Sequence, residues 1–376
     1  MNNKGQYFTS NKILCEGIFS LIKTNPDTIL EPSVGRGDIV EFIKKKWNVK
    51  FDCYEINNTL DFKINKNEIV FKNFLETDIQ KKYKCIIGNP PYIKTEKGNV
   101  YIDFIDKCID ILENKGELIF IIPSDFFKLT MSKKTIKKIF QYGTITDVIY
   151  PENEHLFQGA TIDVLIFRFE KDNLKNNIVV YNGEKRKIKN FDNMIIFEKI
   201  NKILRLEFKI CNFFNVYVGI VSGRENIFKH KDGNIKVMND FDTFNNYILI
   251  NKYPSGINNI DIYMLNHKEE LINRKIRKFT EKNWFEWGAL RNIKIMEKYV
   301  NEDCIYIRNI TRKKTIASKG RIVYFGGKLL MMKPKNKSNI SLIVNILNTY
   351  EFYSNFLYSG RFKIGQRQLL NCVLYL

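Results

Sequence analysis

The first half of the chain alternates between short apolar runs and amphipathic stretches, and this alternation restricts its folding more than any other feature. DTILE (27–31), VKFDCYEI (49–56), EIVFKNF (68–74), YKCIIGN (83–89), ELIFIIP (117–123), TITDVIY (144–150) and TIDVLIFRF (161–169) have the length and β-branched content of buried strands. NKILCEGIFSLIK (11–23), DIVEFIKKKW (38–47), VYIDFIDKCIDILENKG (100–116) and SKKTIKKIFQYG (132–143) carry apolar residues at helical spacing. Strands that are apolar on both sides need cover on both sides. The pattern therefore predicts an α/β fold: a mostly parallel sheet with helices on both faces.

The pattern loosens between 171 and 200, in KDNLKNN and GEKRKIKN. We place a boundary there and expect one domain over 1–180 and a second, α+β domain over 200–376. Charge divides the same way. Residues 1–200 hold 31 basic and 27 acidic side chains, whereas 201–376 hold 30 and 14, so +16 of the net +20 lies in the second part. A field of one sign over half a chain suits a polyanion, most simply nucleic acid; a generally lysine-rich protein is the plainer explanation. The seven cysteines are scattered, odd in number and never spaced C-x-x-C, which fits a reduced, cytoplasmic protein with packed thiols. Three histidines far apart in sequence give no support to a metal site, and none is expected. No apolar run approaches the ~18 residues of a membrane span, and MNNKGQYFTS has no signal-peptide apolar core.

Three motifs carry chemistry. EPSVGRGD (31–38) follows a strand and opens a helix, so Gly35 and Gly37 can turn the backbone tightly toward a ligand at the helix N-terminus. The turn lacks the third glycine of the dinucleotide fingerprint. Glu55 ends the next strand about twenty residues on, where an acid can hold both hydroxyls of a ribose; a solvated strand end would look the same. IIGNPPY (86–92) places Asn89 at the carboxyl end of a strand. Pro90 and Pro91 fix the backbone and remove N–H donors. The Asn89 side-chain oxygen and a proline carbonyl then form a rigid pair of acceptors suited to an exocyclic NH2 group, and Tyr92 offers a flat face for stacking on a ring. Alone, Asn-Pro-Pro is a common strand-ending turn. The order glycine turn, ribose acid, NPPY on successive strands gives it weight.

That order resembles the gamma group of N6-adenine DNA methyltransferases, which use S-adenosylmethionine (SAM) and pair an N-terminal catalytic domain with a C-terminal target-recognition domain. The resemblance is carried by KGQYFTS (4–10), LEPSVGRGD, Glu55, IIGNPPY and HLFQGATIDVLIFRF (155–169), and covers most of 1–170. It implies a Rossmann-like methyltransferase sheet, with Thr9, Glu31, Pro32, Gly35, Gly37, Glu55, Asn73, Phe74 and Asn89 around SAM. It implies that Asn89, Pro90, Pro91 and Tyr92 act on the target adenine, with Phe157 packing on that base. One position departs from the family pattern: where an Asp-Phe-Leu usually holds the cofactor adenine, this chain has Asn73 and Phe74 in NFLE. An Asn oxygen can still accept from the adenine amino group. Asp78 is nearby but wrongly spaced.

The activity implied is methyl transfer from SAM to adenine N6 in double-stranded DNA. The base must be flipped out of the helix, because the amino group is inaccessible within a duplex. The second domain would read the sequence; LYSGRFKIGQRQLLN (357–371) gathers Arg361, Lys363, Gln366, Arg367 and Gln368, and Arg and Gln can make bidentate contacts to base edges. A basic surface turn is the alternative reading of that stretch. NPPY also occurs in SAM enzymes that methylate adenine in RNA or glutamine amides in proteins, so those substrates stay open, as does a non-catalytic nucleic-acid binder. No acidic nuclease cluster is recognisable. A partner endonuclease, if the chain serves a restriction–modification system, is expected on another chain, and an unpartnered methyltransferase is equally allowed.

Overall fold

The computed structural model describes residues 7–96, 98–174, 176–200, 206–336 and 339–375. The first three residues of the KGQYFTS motif lie outside them. The chain divides into two compact units, one within 1–204 with 358–360 and one within 205–357 with 361–376.

The first unit is a ten-stranded sheet. Its strands are β1 (Thr28–Glu31), β2 (Lys50–Glu55), β3 (Ile69–Phe71), β4 (Tyr83–Gly88), β5 (Leu112–Pro123), β6 (Gly143–Ile149), β7 (Val164–Lys171), β8 (Ile178–Tyr181), β9 (Glu184–Phe191) and β10 (Met194–Lys199). The spatial order is β10-β9-β8-β6-β7-β5-β4-β1-β2-β3. β3, β2, β1, β4 and β5 run parallel, and β7 is inserted antiparallel between β5 and β6. The helices are α1 (Lys12–Leu21), α2 (Asp38–Lys44), α3 (Val100–Asp110) and α4 (Lys133–Tyr142). The expected α/β architecture with helices on both faces is what forms.

Strand alternation decides which face each side chain covers. Ile29, Cys85, Ile87, Ile119 and Ile121 pack with Leu14, Ile18, Leu21, Ile39 and Ile43 of α1 and α2. Their neighbours Leu30, Ile86, Leu118, Phe120 and Ile122 pack with Ile102, Ile105, Ile136 and Ile139 of α3 and α4. Asn11 caps α1 by accepting from the Ile13 N–H at 2.9 Å. Asp38 and Glu41 put negative charge in the first turn of α2, where the helix dipole favours it.

The structure departs from the sequence expectation in two places. The stretch 100–116 is helical only to Asp110; Leu112 begins β5, whose pairing with β4 shifts register between Tyr83 and Cys85. Residues 178–199 form three further strands that extend the sheet beyond β6. Their outward positions are lysines, glutamates and asparagines, which masks the alternation of an edge sheet.

The second unit is built on a four-stranded antiparallel sheet of β11 (Phe214–Val218), β14 (Asp303–Arg308), β15 (Ala317–Arg321) and β16 (Leu329–Pro334), in the order β11-β16-β14-β15. A hairpin, β12 (Ile235–Asp240) and β13 (Thr243–Tyr247), packs on it through Val237, Met238 and Tyr247 with Phe228, Trp287 and Phe325. Arg274 is buried and donates to the carbonyls of Leu271, Ser222, Trp284 and Glu286, so a charged side chain serves as an internal staple. All seven cysteines are free thiols and six are buried. No helix among the described residues is long and apolar enough to cross a membrane.

Candidate active site

In an open α/β sheet, ligands bind beyond the carboxyl ends of the strands, where the strand order reverses. Here the reversal lies between β1 and β4. Glu31 ends β1, Glu55 ends β2, and Asn89 follows β4 directly.

The glycine turn adopts the backbone its composition allows. Gly35 and Gly37 have φ of 56° and 88°. A Cβ on Gly37 would sit 2.9 Å from Ile64, and one on Gly35 would meet the Phe8 ring at 3.4 Å. Glu55 holds this turn to β2: its carboxylate accepts from the N–H of Gly35 at 2.9 Å and from those of Ile56 and Asn57 at 3.0 and 2.9 Å. Glu31 and Pro32 are buried beside it. Gly88 makes room for the Glu31 carboxyl, since a Cβ there would lie 2.5 Å from Oε1. Burial pushes the Glu31 carboxyl up to about 8, and the nearby Glu55 charge adds to the effect.

Asn89 is held by the N-terminal segment. Its Nδ2 donates to the Tyr7 carbonyl at 2.8 Å and to Thr9 Oγ1 at 3.0 Å. Its Oδ1 accepts from Tyr92 Oη at 2.5 Å, and the same hydroxyl lies 3.1 Å from the Ile121 carbonyl. These contacts fix the amide orientation, with Nδ2 toward Thr9 and Oδ1 toward Tyr92. Burial raises the Tyr92 phenol well above its ordinary range, so it acts as a donor throughout the physiological pH range. Pro90 is buried and Pro91 half-buried.

Tyr92, Phe157 and Tyr7 form one aromatic group. Tyr7 lies 5.5 Å from each of the other two rings, and Tyr92 and Phe157 are 6.4 Å apart at 78°. A planar guest held between two parallel rings needs about 7 Å, twice the carbon contact distance. The rings are therefore closed on one another, and Phe157 is 3% exposed.

Asn73 and Phe74 lie on the turn after β3. Asn73 Oδ1 accepts from the Leu75 N–H at 3.1 Å, so this oxygen shapes the turn. Phe74 is 2% exposed; it stacks on Phe104 and meets Tyr54 edge-on, with no face open. Lys107 pins the turn by donating to the carbonyls of Phe74, Leu75 and Thr77 at 2.6, 3.1 and 2.5 Å.

Thr9, Glu31, Pro32, Gly35, Gly37, Glu55, Asn89 and Tyr92 thus share one edge of the sheet, and the aromatic group brings in Phe157. Of the residues expected to touch DNA, Gln366 donates to the Val216 carbonyl at 2.6 Å, Arg361 and Arg367 are half-buried, and Lys363 is exposed. Three residues at the site went unnoticed in the sequence. Tyr7 and Phe8 stand inside the KGQYFTS motif, next to Thr9. Ile56 directly follows Glu55 and is 68% exposed; an isoleucine placed immediately after a strand-ending acid was the available signal.

The first unit thus has the α/β fold expected from the sequence, a parallel-rich sheet with helices on both faces and the candidate residues along its carboxyl edge. Residues 14–157 match the family model described as Eco57I restriction-modification methylase. Type II methyltransferase M.HincII of Haemophilus influenzae is 28% identical over 200 residues, covering 47% of this chain and 39% of that protein. Type II methyltransferase M.CvrRI of Paramecium bursaria Chlorella virus XZ-6E is 27% identical over 186 residues, covering 44% of this chain and 48% of that protein. Among solved structures, the Type IIL restriction-modification enzyme MmeI in complex with DNA matches 92% of this chain and 62% of its own at a TM-score of 0.61 and 12% identity, a likeness of fold. The chain spans less than half the length of these two methyltransferases.

Proposed function

We propose that this protein is a site-specific DNA methyltransferase that transfers a methyl group from SAM to N6 of an adenine flipped out of double-stranded DNA. The observation that carries the reading is the convergence of five separate sequence segments, 7–9, 31–37, 55, 89–92 and 157, on the carboxyl edge of β1, β2 and β4. The printed names of the relatives, methyltransferases of restriction–modification type, support the substrate class.

The residues present fit SAM. The glycine turn has a backbone that side chains would disturb. Glu55, already accepting from the N–H groups of Gly35, Ile56 and Asn57, would turn its remaining lone pairs to ribose hydroxyls, and exposed Ile56 would offer an aliphatic face to an adenine ring. Asn73, whose oxygen is committed to its own turn, would donate from Nδ2 to a ring nitrogen rather than accept from the amino group. SAM supplies a methyl group already activated on a sulfonium. The protein's task is orientation and stabilisation of charge. Asn89 Oδ1 and the Pro90 carbonyl would accept hydrogen bonds from the two N–H groups of the target NH2, drawing its lone pair out of the ring and supporting the positive charge that builds on nitrogen, which then loses one of these protons to water. To free Asn89 Oδ1, the Tyr92 hydroxyl turns its proton wholly to the Ile121 carbonyl, already 3.1 Å away. Opening the closed rings of Tyr7, Tyr92 and Phe157 admits the base, and stacking worth ~1–3 kcal/mol offsets the cost of flipping.

The test is tritium transfer from labelled SAM to duplex DNA, followed by nucleoside analysis. Label in N6-methyladenine supports the proposal; label confined to RNA or to protein glutamine refutes it.

A further inference from the structure

Most basic side chains of the second unit near its hairpin face an acid. Arg308 and Lys313 bind Asp240 at 2.5 and 3.0 Å, Lys328 lies 3.3 Å from Glu225, and Arg224 lies 3.3 Å from Glu270. Lys229, Lys231 and Lys236 are different. They are exposed and line one cleft of about 440 Å³ with Asn245, Asn246 and Phe244. Among the described residues none of the three has a carboxylate within salt-bridge distance. The acid on the same turn, Asp232, lies 3.9 Å from His230 Nδ1, and Asn259 donates to it at 3.4 Å.

The cleft is rigidly built. The segment carrying Lys229 and Lys231 pairs with the edge of β13 through a bridge between Lys229 and Tyr247 and a hydrogen bond from His230 N to the Asn246 carbonyl at 3.1 Å. Lys236 stands directly across the hairpin from Asn246. Gly233 closes the turn against β13, where a Cβ would lie 2.4 Å from the Tyr247 nitrogen. Three ammonium groups with no carboxylate partner, beside Asn245 and beside Asn246, whose Nδ2 gives one proton to the Lys231 carbonyl at 3.2 Å, form a surface for anionic oxygens. Phe244, 45% exposed at the rim, supplies an apolar face of the kind that packs on sugars or bases. An acidic peptide would use the lysines but gain little from the ring.

We propose that this cleft is a phosphate-backbone contact of the second unit with duplex DNA, a role the sequence pattern points to at 361–367 instead. The proposal rests on the DNA-methyltransferase reading above. Each lysine would neutralise one phosphate, and each phosphate contact contributes about 0.9 to the slope of log affinity against log salt.

The experiment measures binding of a fluorescent duplex by anisotropy across a salt series. It compares the full chain with the triple variant Lys229→Gln, Lys231→Gln, Lys236→Gln. The expected result is a slope smaller by about 2–3 and an affinity lower by roughly 10²-fold near 0.15 M salt, with SAM affinity and Tm unchanged. Phe244→Ala should weaken binding with the slope intact. An unaltered slope in the triple variant overturns the proposal, as does a slope change with duplex RNA that is absent with DNA. If the unsubstituted protein binds duplex DNA with the predicted slope difference yet methylates none, the cleft stands and the catalytic reading falls. If it methylates DNA while the slope is unchanged, the reverse holds.

Discussion

Raising the pH from 6 to 8 should destabilise the first unit through one side chain. Glu31 is fully buried, and its carboxyl is raised from an ordinary 4.5 to about 8. The sign follows from proton binding. Between these values the folded protein holds a proton that the unfolded chain has lost, so stability is full below 4.5 and is lost as pH rises through 8, at about 1.4 kcal/mol per pH unit. From pH 6 to pH 8 the loss is about 2 kcal/mol. Glu31→Gln keeps the shape and removes the titration, so its stability should fall less over the same interval by that amount. Urea unfolding at pH 6, 7 and 8, followed by a probe in the first unit, measures the difference directly. Parallel curves for the two proteins would refute the reasoning. SAM binding at the proposed site should release protons near pH 7, because a cation placed beside Glu31 would favour its carboxylate; calorimetry in buffers of different ionisation enthalpy reads the number released.

Three other outcomes are expected. Arg168→Met should cost about 3 kcal/mol, read as a lower urea midpoint, because the Arg168 Nε–Glu117 Oε2 contact at 2.6 Å neutralises a carboxylate with no exposed surface; the donors Thr24 and Lys23 remain and keep the loss at the low end. Gly37→Ala should weaken SAM binding at least tenfold, measured by calorimetry, since φ of 88° and the Ile64 side chain 2.9 Å away both oppose a Cβ. Tyr92→Phe should retain stacking and so lose far less turnover than Tyr92→Ala, for which the lost stacking is ~1–3 kcal/mol; 2-aminopurine fluorescence at the target position reports the flipped state in both.

The parts of the site legible in the sequence are those where local backbone chemistry and function coincide. Two glycines after a strand, an acid ending the next, and Asn-Pro-Pro ending a third each mark a strand terminus by rules that act over a few residues. The fold followed from the same rules, since Ile-rich runs alternating with amphipathic helices leave few arrangements. What was not legible depends on partners distant in sequence. Tyr92 Oη reaches the Ile121 carbonyl, Glu117 pairs with Arg168, and Lys107 pins the turn at 74–77; none of these follows from spacing. The family pattern offers Asn73 as an acceptor for a ligand, but its oxygen accepts from the Leu75 N–H of its own turn, a local competition that short polar side chains often win. In the second unit, irregular short strands left the hairpin and its lysine cleft hidden, while the arginine-rich run near 361–367 drew attention that Gln366 spends on the Val216 carbonyl.

The central claim is that Asn89 serves the amino group of an extruded adenine. Label transfer from SAM to duplex DNA by the unsubstituted protein and by Asn89→Ala, with SAM affinity measured alongside, tests it most directly. The account predicts N6-methyladenine as the labelled product and a loss of about 10²-fold or more in turnover for the variant, with SAM still bound. Label on another base, or a variant as fast as the parent, would contradict it.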